Sequence, residues 1–351
     1  VYVTLGYGKP VSCLDAATGE IVKVYKGTEN AREIVHCDGV LYVVVAAKPQ
    51  SGEVPEEQRG RPWPEWTFVN PDMGIVAVDA ETGRVLWRKF DEDTREVMPT
   101  TLAVADGRVF FQNTGHVVCL DARTGRVLWR ARRPVSTNRP AWSAPTLVVY
   151  KGVVLSADRA ADSAFLKRRR APEGKVLWVV TSRGGNAPPG ELVAFSAKDG
   201  RVLWRTKCRE GYNSPVDVLV ADGLVWTGNL VTARDPGITR GLDPFTGEVR
   251  RTKPPDQQLF PIGMGHHRCY RNRATDKYLI LGRAGVEFVN VKTGEVFPNH
   301  WVRGTCQYGV LPCNGLLYVP PHSCACYIEA KLNSFVALAP RRGGEGGATL
   351  R

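Results

Sequence analysis

A nine-residue segment recurs six times along this chain, and that recurrence restricts the possible folds more than any other feature. Each copy begins with Asp, Asn or Ser, and each has Val or Ile two residues after a turn Gly. The copies are DAATGEIVK (15–23), DAETGRVLW (79–87), DARTGRVLW (121–129), SAKDGRVLW (196–204), DPFTGEVRR (243–251) and NVKTGEVFP (290–298). Self-similarity of this kind indicates stacked copies of one structural unit, so we expect a repeat protein.

Each copy is predicted to be a β-hairpin, because Gly supplies the positive φ of a tight turn between two residue runs that favour strands. A second turn follows each copy: Asp38-Gly39, Asp106-Gly107, Lys151-Gly152, Asp222-Gly223, Asp276-Lys277 and Asn314-Gly315. With strands named A to D, this turn joins A to B and the first joins C to D. Four short antiparallel strands per unit predict an all-β fold, a β-propeller built from four-stranded blades.

Seven units are visible, and each terminal unit lacks one strand. The first starts in strand B (residues 1–5), and the last stops after strand C (residues 334–339). We therefore expect a seven- or eight-bladed ring with incomplete terminal blades. Either the ring closes imperfectly with seven blades or, as we favour, the missing strands come from a segment outside this chain. Residues 1–340 are predicted to form a single domain, followed by a flexible Gly-rich tail over 341–351.

The repeat pattern Ala/Val-x-Asp-Ala-x-Thr-Gly-x-x-x-Trp resembles the tryptophan-docking repeat of the PQQ-like propellers. That family includes quinoprotein alcohol dehydrogenases and the outer-membrane assembly factor BamB. The resemblance covers nearly the whole chain and implies that Trp87, Trp129 and Trp204 are structural residues that pack between blades. It does not imply a function, because propellers carry many unrelated activities.

Composition indicates the class of partner but does not identify a particular one. The net charge of +12, from 47 Lys and Arg against 35 Asp and Glu, favours acidic partners. The longest apolar run, residues 40–47, is too short to span a membrane, and the basic run 167–170 accompanies no nucleic-acid-binding module. The chain starts at Val1 without an initiator Met or a signal-peptide pattern. We expect a processed, exported protein of the periplasm or cell envelope that binds a protein or an acidic glycan, with nucleic acid an unlikely partner.

The long insertions all fall between D and A or between B and C, so they are predicted to emerge on one face. One of them, residues 48–73, contains Trp63 and Trp66 as candidate ligand-binding residues. Three segments of the last two units converge there as well: 263–271, 300–308 and 320–331. Because loops on a rigid scaffold commonly carry function, this face is the predicted ligand face.

His, Tyr and Arg in these segments suit proton abstraction next to a carboxylate, which needs a base, an acid and a neutralising cation. The candidate catalytic residues are His266, His267, Tyr270 and His322. The candidate ligand-binding residues are Arg268, Arg271, Arg303 and Tyr308, besides the two tryptophans. The alternative is a polar surface whose histidines are solvated or hydrogen-bonded.

Four cysteines lie in the same segments: Cys269, Cys306, Cys324 and Cys326. Three interpretations stay open, namely disulfides in an exported chain, a metal site of Cys and His, and free or redox-active thiols. PQQ is an unlikely cofactor, because the quinoprotein dehydrogenases of the family have two adjacent cysteines against the quinone ring and this chain has none.

Two functional classes follow from these observations. The first is an exported binding or assembly scaffold whose ligand face is formed by the long loops of the last two blades. The second is an enzyme at the same loops, either metal-assisted or a lyase of acidic polysaccharides. A quinoprotein dehydrogenase is disfavoured.

Overall fold

The structure is a computed structural model that describes residues 1–47, 72–137, 143–161, 166–170, 174, 176–180, 190–208, 216, 218–227, 239–252, 270–282, 285–321, 332 and 334–340. Within these ranges the protein is all-β, apart from a short 3-10 turn at Pro99–Thr101. No helix in the described part has the length and apolar character needed to cross a membrane.

Seven antiparallel sheets form the blades of a β-propeller fold. Blade I contains β1 (Tyr2–Thr4), β2 (Val11–Leu14) and β3 (Ile21–Tyr25). Blade II contains β4 (Ala31–Cys37), β5 (Val40–Ala46), β6 (Met73–Asp79) and β7 (Val85–Lys89). Blade III contains β8 (Ala103–Ala105), β9 (Arg108–Gln112), β10 (His116–Asp121) and β11 (Val127–Arg132).

The remaining four blades follow in chain order. Blade IV contains β12 (Thr146–Tyr150), β13 (Val153–Asp158), β16 (Gly190–Ser196) and β17 (Val202–Cys208). Blade V contains β18 (Leu219–Ala221), β19 (Leu224–Thr227), β20 (Arg240–Leu242) and β21 (Val249–Thr252). Blade VI contains β22 (Arg273–Ala274), β23 (Tyr278–Leu281), β24 (Val286–Asn290) and β25 (Val296–Asn299). Blade VII contains β26 (Leu311–Cys313), β27 (Leu316–Val319) and β28 (Val336–Leu338).

The predicted fold class is confirmed. In the described residues blades II to VI have four strands and blades I and VII have three, as the sequence indicated. That a segment outside the chain supplies the missing strands stays a prediction.

One insertion differs from the expected loop. Strands β14 (Leu166–Arg170) and β15 (Val176–Val180) pair as a separate two-stranded sheet between β13 and β16. The basic run 167–170 therefore lies in a strand. The physical reason is the sequence of β15, VLWVV, whose β-branched and aromatic residues favour an extended pair over an irregular loop.

The contacts divide the chain into two compact units. The first comprises Val1–Asn138, Arg168–Val179 and Ser196–Arg201, and thus holds blades I to III. The second comprises Arg139–Lys167, Val180–Phe195 and Val202–Arg351, and holds the strands of blades V to VII with nearly all of those of blade IV. The predicted single domain over 1–340 stays a prediction.

The repeat segment folds as its sequence dictates. In blade III, Asp121 Oδ1 accepts hydrogen bonds from the Thr124 backbone N–H at 2.8 Å and from its hydroxyl at 2.7 Å, and Gly125 takes a φ of 71°. These bonds hold the pKa of Asp121 below its usual range. Just before the turn, a register shift between Cys119 and Leu120 marks a β-bulge, and blades I, II, IV and V have a shift at the equivalent position.

The core lies between successive blades within each unit. In the first unit, buried Tyr42 and Ile75 of blade II pack with Val109 and Phe111 of blade III. In the second unit, buried Leu155 and Leu192 of blade IV pack with Val225 of blade V. Because each sheet buries its faces against its neighbours, the loops that leave the strand ends are positioned by packed strands.

Candidate functional site

The three repeat tryptophans each donate a hydrogen bond to the turn of the next repeat. The indole Nε1 atoms of Trp87, Trp129 and Trp204 lie 2.8, 3.0 and 2.9 Å from the carbonyl oxygens of Ala122, Ala197 and Pro244. Each acceptor residue directly follows the first residue of its repeat copy. The indoles also cover the turn glycines, since a Cβ at Gly125 would lie 2.8 Å from the Trp87 ring.

Other side chains make the same contact where Trp is replaced. In the first copy Tyr25 Oη donates to Ala80 O, the equivalent acceptor, at 2.7 Å. Lys23, which occupies the Trp position itself, donates from its Nζ to the neighbouring Glu81 O. In the fifth copy Arg251 Nη1 donates to Val291 O at 3.1 Å. The sequence prediction missed these residues, although aligning the six copies puts Lys23 and Arg251 at the Trp position. The contribution of the predicted docking residues to stability stays a prediction.

The described part of the predicted ligand face centres on residues 299–310, which we call the blade VI–VII loop. It lies against Tyr270, a predicted catalytic residue that is fully buried. Glycines surround the Tyr270 ring, since a Cβ at Gly304 or Gly309 would lie 2.8 or 2.7 Å from it and one at Gly282 would overlap it. The Tyr270 hydroxyl donates to Gly285 O at 3.1 Å.

Backbone bonds fix the blade VI–VII loop further. Tyr270 forms a parallel bridge with Gln307, whose φ is 71°, and Gly309 N donates to Thr305 O at 2.8 Å. Arg273 then holds the end of the loop, because its Nε donates to Val310 O at 3.1 Å and its Nη2 to Tyr308 O at 3.2 Å. A loop tied at this many points can present side chains in one orientation.

The predicted ligand-binding residues divide into buried and exposed ones. Arg271 and Arg303 are buried, as is Glu287 of β24, and all three have interaction partners. Tyr308 is exposed, and so is Trp301 on the same loop. Trp301 lies in the predicted segment 300–308 but was not predicted as a ligand-binding residue. The available signal was an aromatic residue in a loop of the predicted ligand face.

A charge cluster occupies the corresponding loop after β7 in the first unit. The buried Asp93 carboxylate accepts two hydrogen bonds from Arg130, at 2.5 and 2.8 Å, and lies 3.3 Å from Lys89 Nζ. Burial raises the pKa of Asp93, but the Arg130 and Lys89 charges outweigh it and the pKa falls below its usual range. The charges of this cluster pair with one another, and the Asp93 carboxylate links Lys89 of β7 to Arg130 of β11. Its role is therefore structural.

Several predicted site residues lie outside the described residues: His266, His267, Arg268, Cys269, His322, Cys324, Cys326, Trp63 and Trp66. Of the four predicted metal or disulfide cysteines only Cys306 is described, and it is half-buried. Within the described ranges no group of three or more His, Cys, Asp or Glu side chains could hold a metal ion. The catalytic, metal and disulfide assignments stay predictions.

Comparison with known proteins gave one family and a set of distant structures. The family model described as outer membrane protein assembly factor BamB matches residues 71–254 and 171–296. No curated protein matched the sequence.

Among solved structures, the computationally designed Ika8 protein is 15% identical, with 89% of this chain and 75% of that chain covered and a TM-score of 0.52. BamB from Moraxella catarrhalis is 15% identical over 91% and 92% of the two chains, with a TM-score of 0.45. A europium-containing methanol dehydrogenase is 14% identical over 82% and 60%, with a TM-score of 0.43.

At these identities the structural likeness concerns the fold alone, and of these three structures the designed protein has a TM-score above 0.5. The family assignment therefore depends on the model match, which covers more than half of the chain. Together with the recurring hairpins and the inter-repeat hydrogen bonds, it shows that the chain belongs to the PQQ-like β-propeller family described as outer membrane protein assembly factor BamB.

Proposed function

We propose that this protein is an exported binding or assembly scaffold of the cell envelope that captures a protein segment on the blade VI–VII loop. The observation that carries the proposal is the rigid presentation of exposed Trp301 and Tyr308 by a loop fixed around buried Tyr270. The family's description as an assembly factor of outer membrane proteins supports the location and the kind of role.

The chemistry of the loop favours protein recognition. Trp and Tyr are enriched among the residues that dominate binding energy, and a fixed loop loses little conformational entropy when it binds. Arg273 contributes to binding by fixing the loop through its hydrogen bond to the Tyr308 carbonyl, rather than by contacting a partner with its charge. A protein segment with apolar or aromatic side chains fits these two exposed rings better than a purely ionic partner does.

The arrangement of Tyr270 supports the scaffold over the enzymatic alternative. A general acid must reach its substrate. The Tyr270 hydroxyl is buried instead, and it donates a hydrogen bond to Gly285 O. An acidic-polysaccharide lyase would depend on His266, His267 and His322, which lie outside the described residues.

The test is quantitative binding to a partner captured from envelope extracts and then purified. Trp301→Ala with Tyr308→Ala is expected to weaken binding by at least about tenfold, as truncation of central aromatic contacts does. The matched control is Phe245→Ala, an exposed aromatic residue on the Thr-Gly turn at the other end of its blade. Equal losses in the two variants, or turnover of an acidic polysaccharide by the unmodified protein, would contradict the proposal. Cell fractionation tests the envelope location.

A further inference from the structure

The outer strand of blade I exposes three β-branched side chains. Strand β3 (Ile21–Tyr25) has β2 as its one neighbour in the described sheet, so its other edge is unpaired there. Ile21, Val22 and Val24 are 57%, 63% and 45% exposed. A strand edge with exposed β-branched residues is a template for pairing with another chain.

Three of the equivalent strands carry a charge at the position of Val24. Aligning the repeat copies places Val24 where β7, β11 and β17 have Arg88, Arg130 and Arg205. The other two have Thr252 and Asn299 there, but β21 carries Arg250 and Arg251 and β25 carries Pro298, which also oppose edge pairing. Charged side chains on outer strands oppose edge-to-edge pairing. The cation of β3 itself, Lys23, is turned to blade II, where its ammonium donates to Glu81 O. The exposed side of β3 is therefore apolar.

Charge also indicates which partner fits this edge. In residues 1–25 the side chains of Lys9 and Lys23 balance those of Asp15 and Glu20, whereas the whole chain carries +12. Two copies of a strongly basic protein repel each other over most of their surfaces. A neutral, apolar strand edge is where they can meet, whereas acidic partners are drawn to the basic surface elsewhere.

We propose that β3 is a self-association edge, at which two copies of this chain pair their β3 strands antiparallel about a twofold axis. Twofold contacts are the commonest in homo-oligomers, and the pairing would join two three-stranded blades into one continuous sheet. Val22 and Val24 would then meet their counterparts across the junction. A single strand pair buries less area than a permanent interface, so the dimer forms reversibly and its population rises with concentration.

The test is sedimentation equilibrium of the unmodified protein over a wide concentration range. We expect the average mass to rise from the monomer value of 38.6 kDa toward twice that value. Val24→Arg, which introduces the residue found at this position in β7, β11 and β17, should leave a monomer at every concentration. The matched control is Val249→Arg, which adds the same charge at a residue that is 50% exposed on the outer strand β21.

A monomeric mass throughout, a dimer that survives Val24→Arg, or a dimer equally lost in Val249→Arg would each overturn the proposal. Hydrogen exchange of the unmodified protein gives a second measurement that needs no variant to fold. The β3 amides should become more protected as concentration rises, while those of β21 should not. Protection that is independent of concentration at both strands would also overturn it.

Discussion

At the residue scale, turn glycines that share one backbone conformation have different steric surroundings. Gly125 and Gly294 have φ of 71° and 75°, so Ala is strained at either position. A Cβ at Gly125 would lie 2.8 Å from the Trp87 ring, whereas one at Gly294 meets nothing within 4 Å. Gly125→Ala should therefore cost about 1 to 3 kcal/mol more than Gly294→Ala, the usual penalty of overpacking.

Urea unfolding of both variants measures that difference directly. Since the strain of positive φ is common to the pair, it cancels in the comparison. Equal destabilisation of the two variants would contradict this account. It would show that the Trp87 ring moves aside for the added methyl group and that the docking contact has little steric specificity.

Two cysteines in the described residues should react at very different rates. Burial raises the pKa of Cys119 to about 12, and its side chain is inaccessible, whereas Cys313 is exposed. Alkylation requires the thiolate. Mass spectrometry after brief labelling of the native protein should find Cys313 modified and Cys119 unmodified, with both modified in urea. Labelling of native Cys119 at the rate of Cys313 would contradict the packing of blade III.

At the element scale, the junction between blades I and II depends on a hydroxyl where the next three junctions use an indole. Tyr25→Phe removes the 2.7 Å bond to Ala80 O and should cost about 1 kcal/mol of unfolding free energy. The matched control is Tyr42→Phe, because Ala122 O keeps its 2.8 Å bond from Trp87 when the 3.3 Å bond from Tyr42 is lost. Thermal or urea unfolding that ranks Tyr42→Phe as the costlier change would contradict this account.

The same junction shows what sequence can predict here. The hairpins and blades followed from local turn chemistry, which recurs because each Thr-Gly turn depends on residues adjacent in the chain. The acceptor of the Tyr25 hydroxyl lies 55 residues away. Likewise Tyr270 is enclosed by Gly282, Gly304 and Gly309, which meet only after blade VI and its loop have folded. No local pattern distinguishes such a buried Tyr from an accessible acid, so the fold was predictable and the environment of the site was not.

At the scale of the whole molecule, the loss of stability in acid is expected to come from the same turn repeated in several blades. Hydrogen bonds within the turns hold the pKa of Asp15, Asp79, Asp121 and Asp243 below the usual range. They come chiefly from a turn Thr in the first three, and from the Phe245 backbone N–H and then Thr246 at Asp243. A carboxylate with a depressed folded-state pKa stabilises the fold above its unfolded pKa of about 3.9, and that stabilisation is lost as pH falls through the folded value. Stability should therefore decline below about pH 4 through several blades at once.

Replacing these four aspartates by Asn keeps the acceptor oxygen and removes the titrating charge. Between about pH 4 and pH 2, the stability of the quadruple variant against urea should therefore fall less steeply than that of the unmodified protein. Single changes should each give a fraction of the effect, because each carboxylate accepts hydrogen bonds from its own turn and independent sites add. Asp106→Asn is the control: it removes a charge at a residue of positive φ, 50°, that Asn tolerates. If that control flattens the profile as much as Asp121→Asn does, the acid response reflects net charge and not the hydrogen-bonded turns.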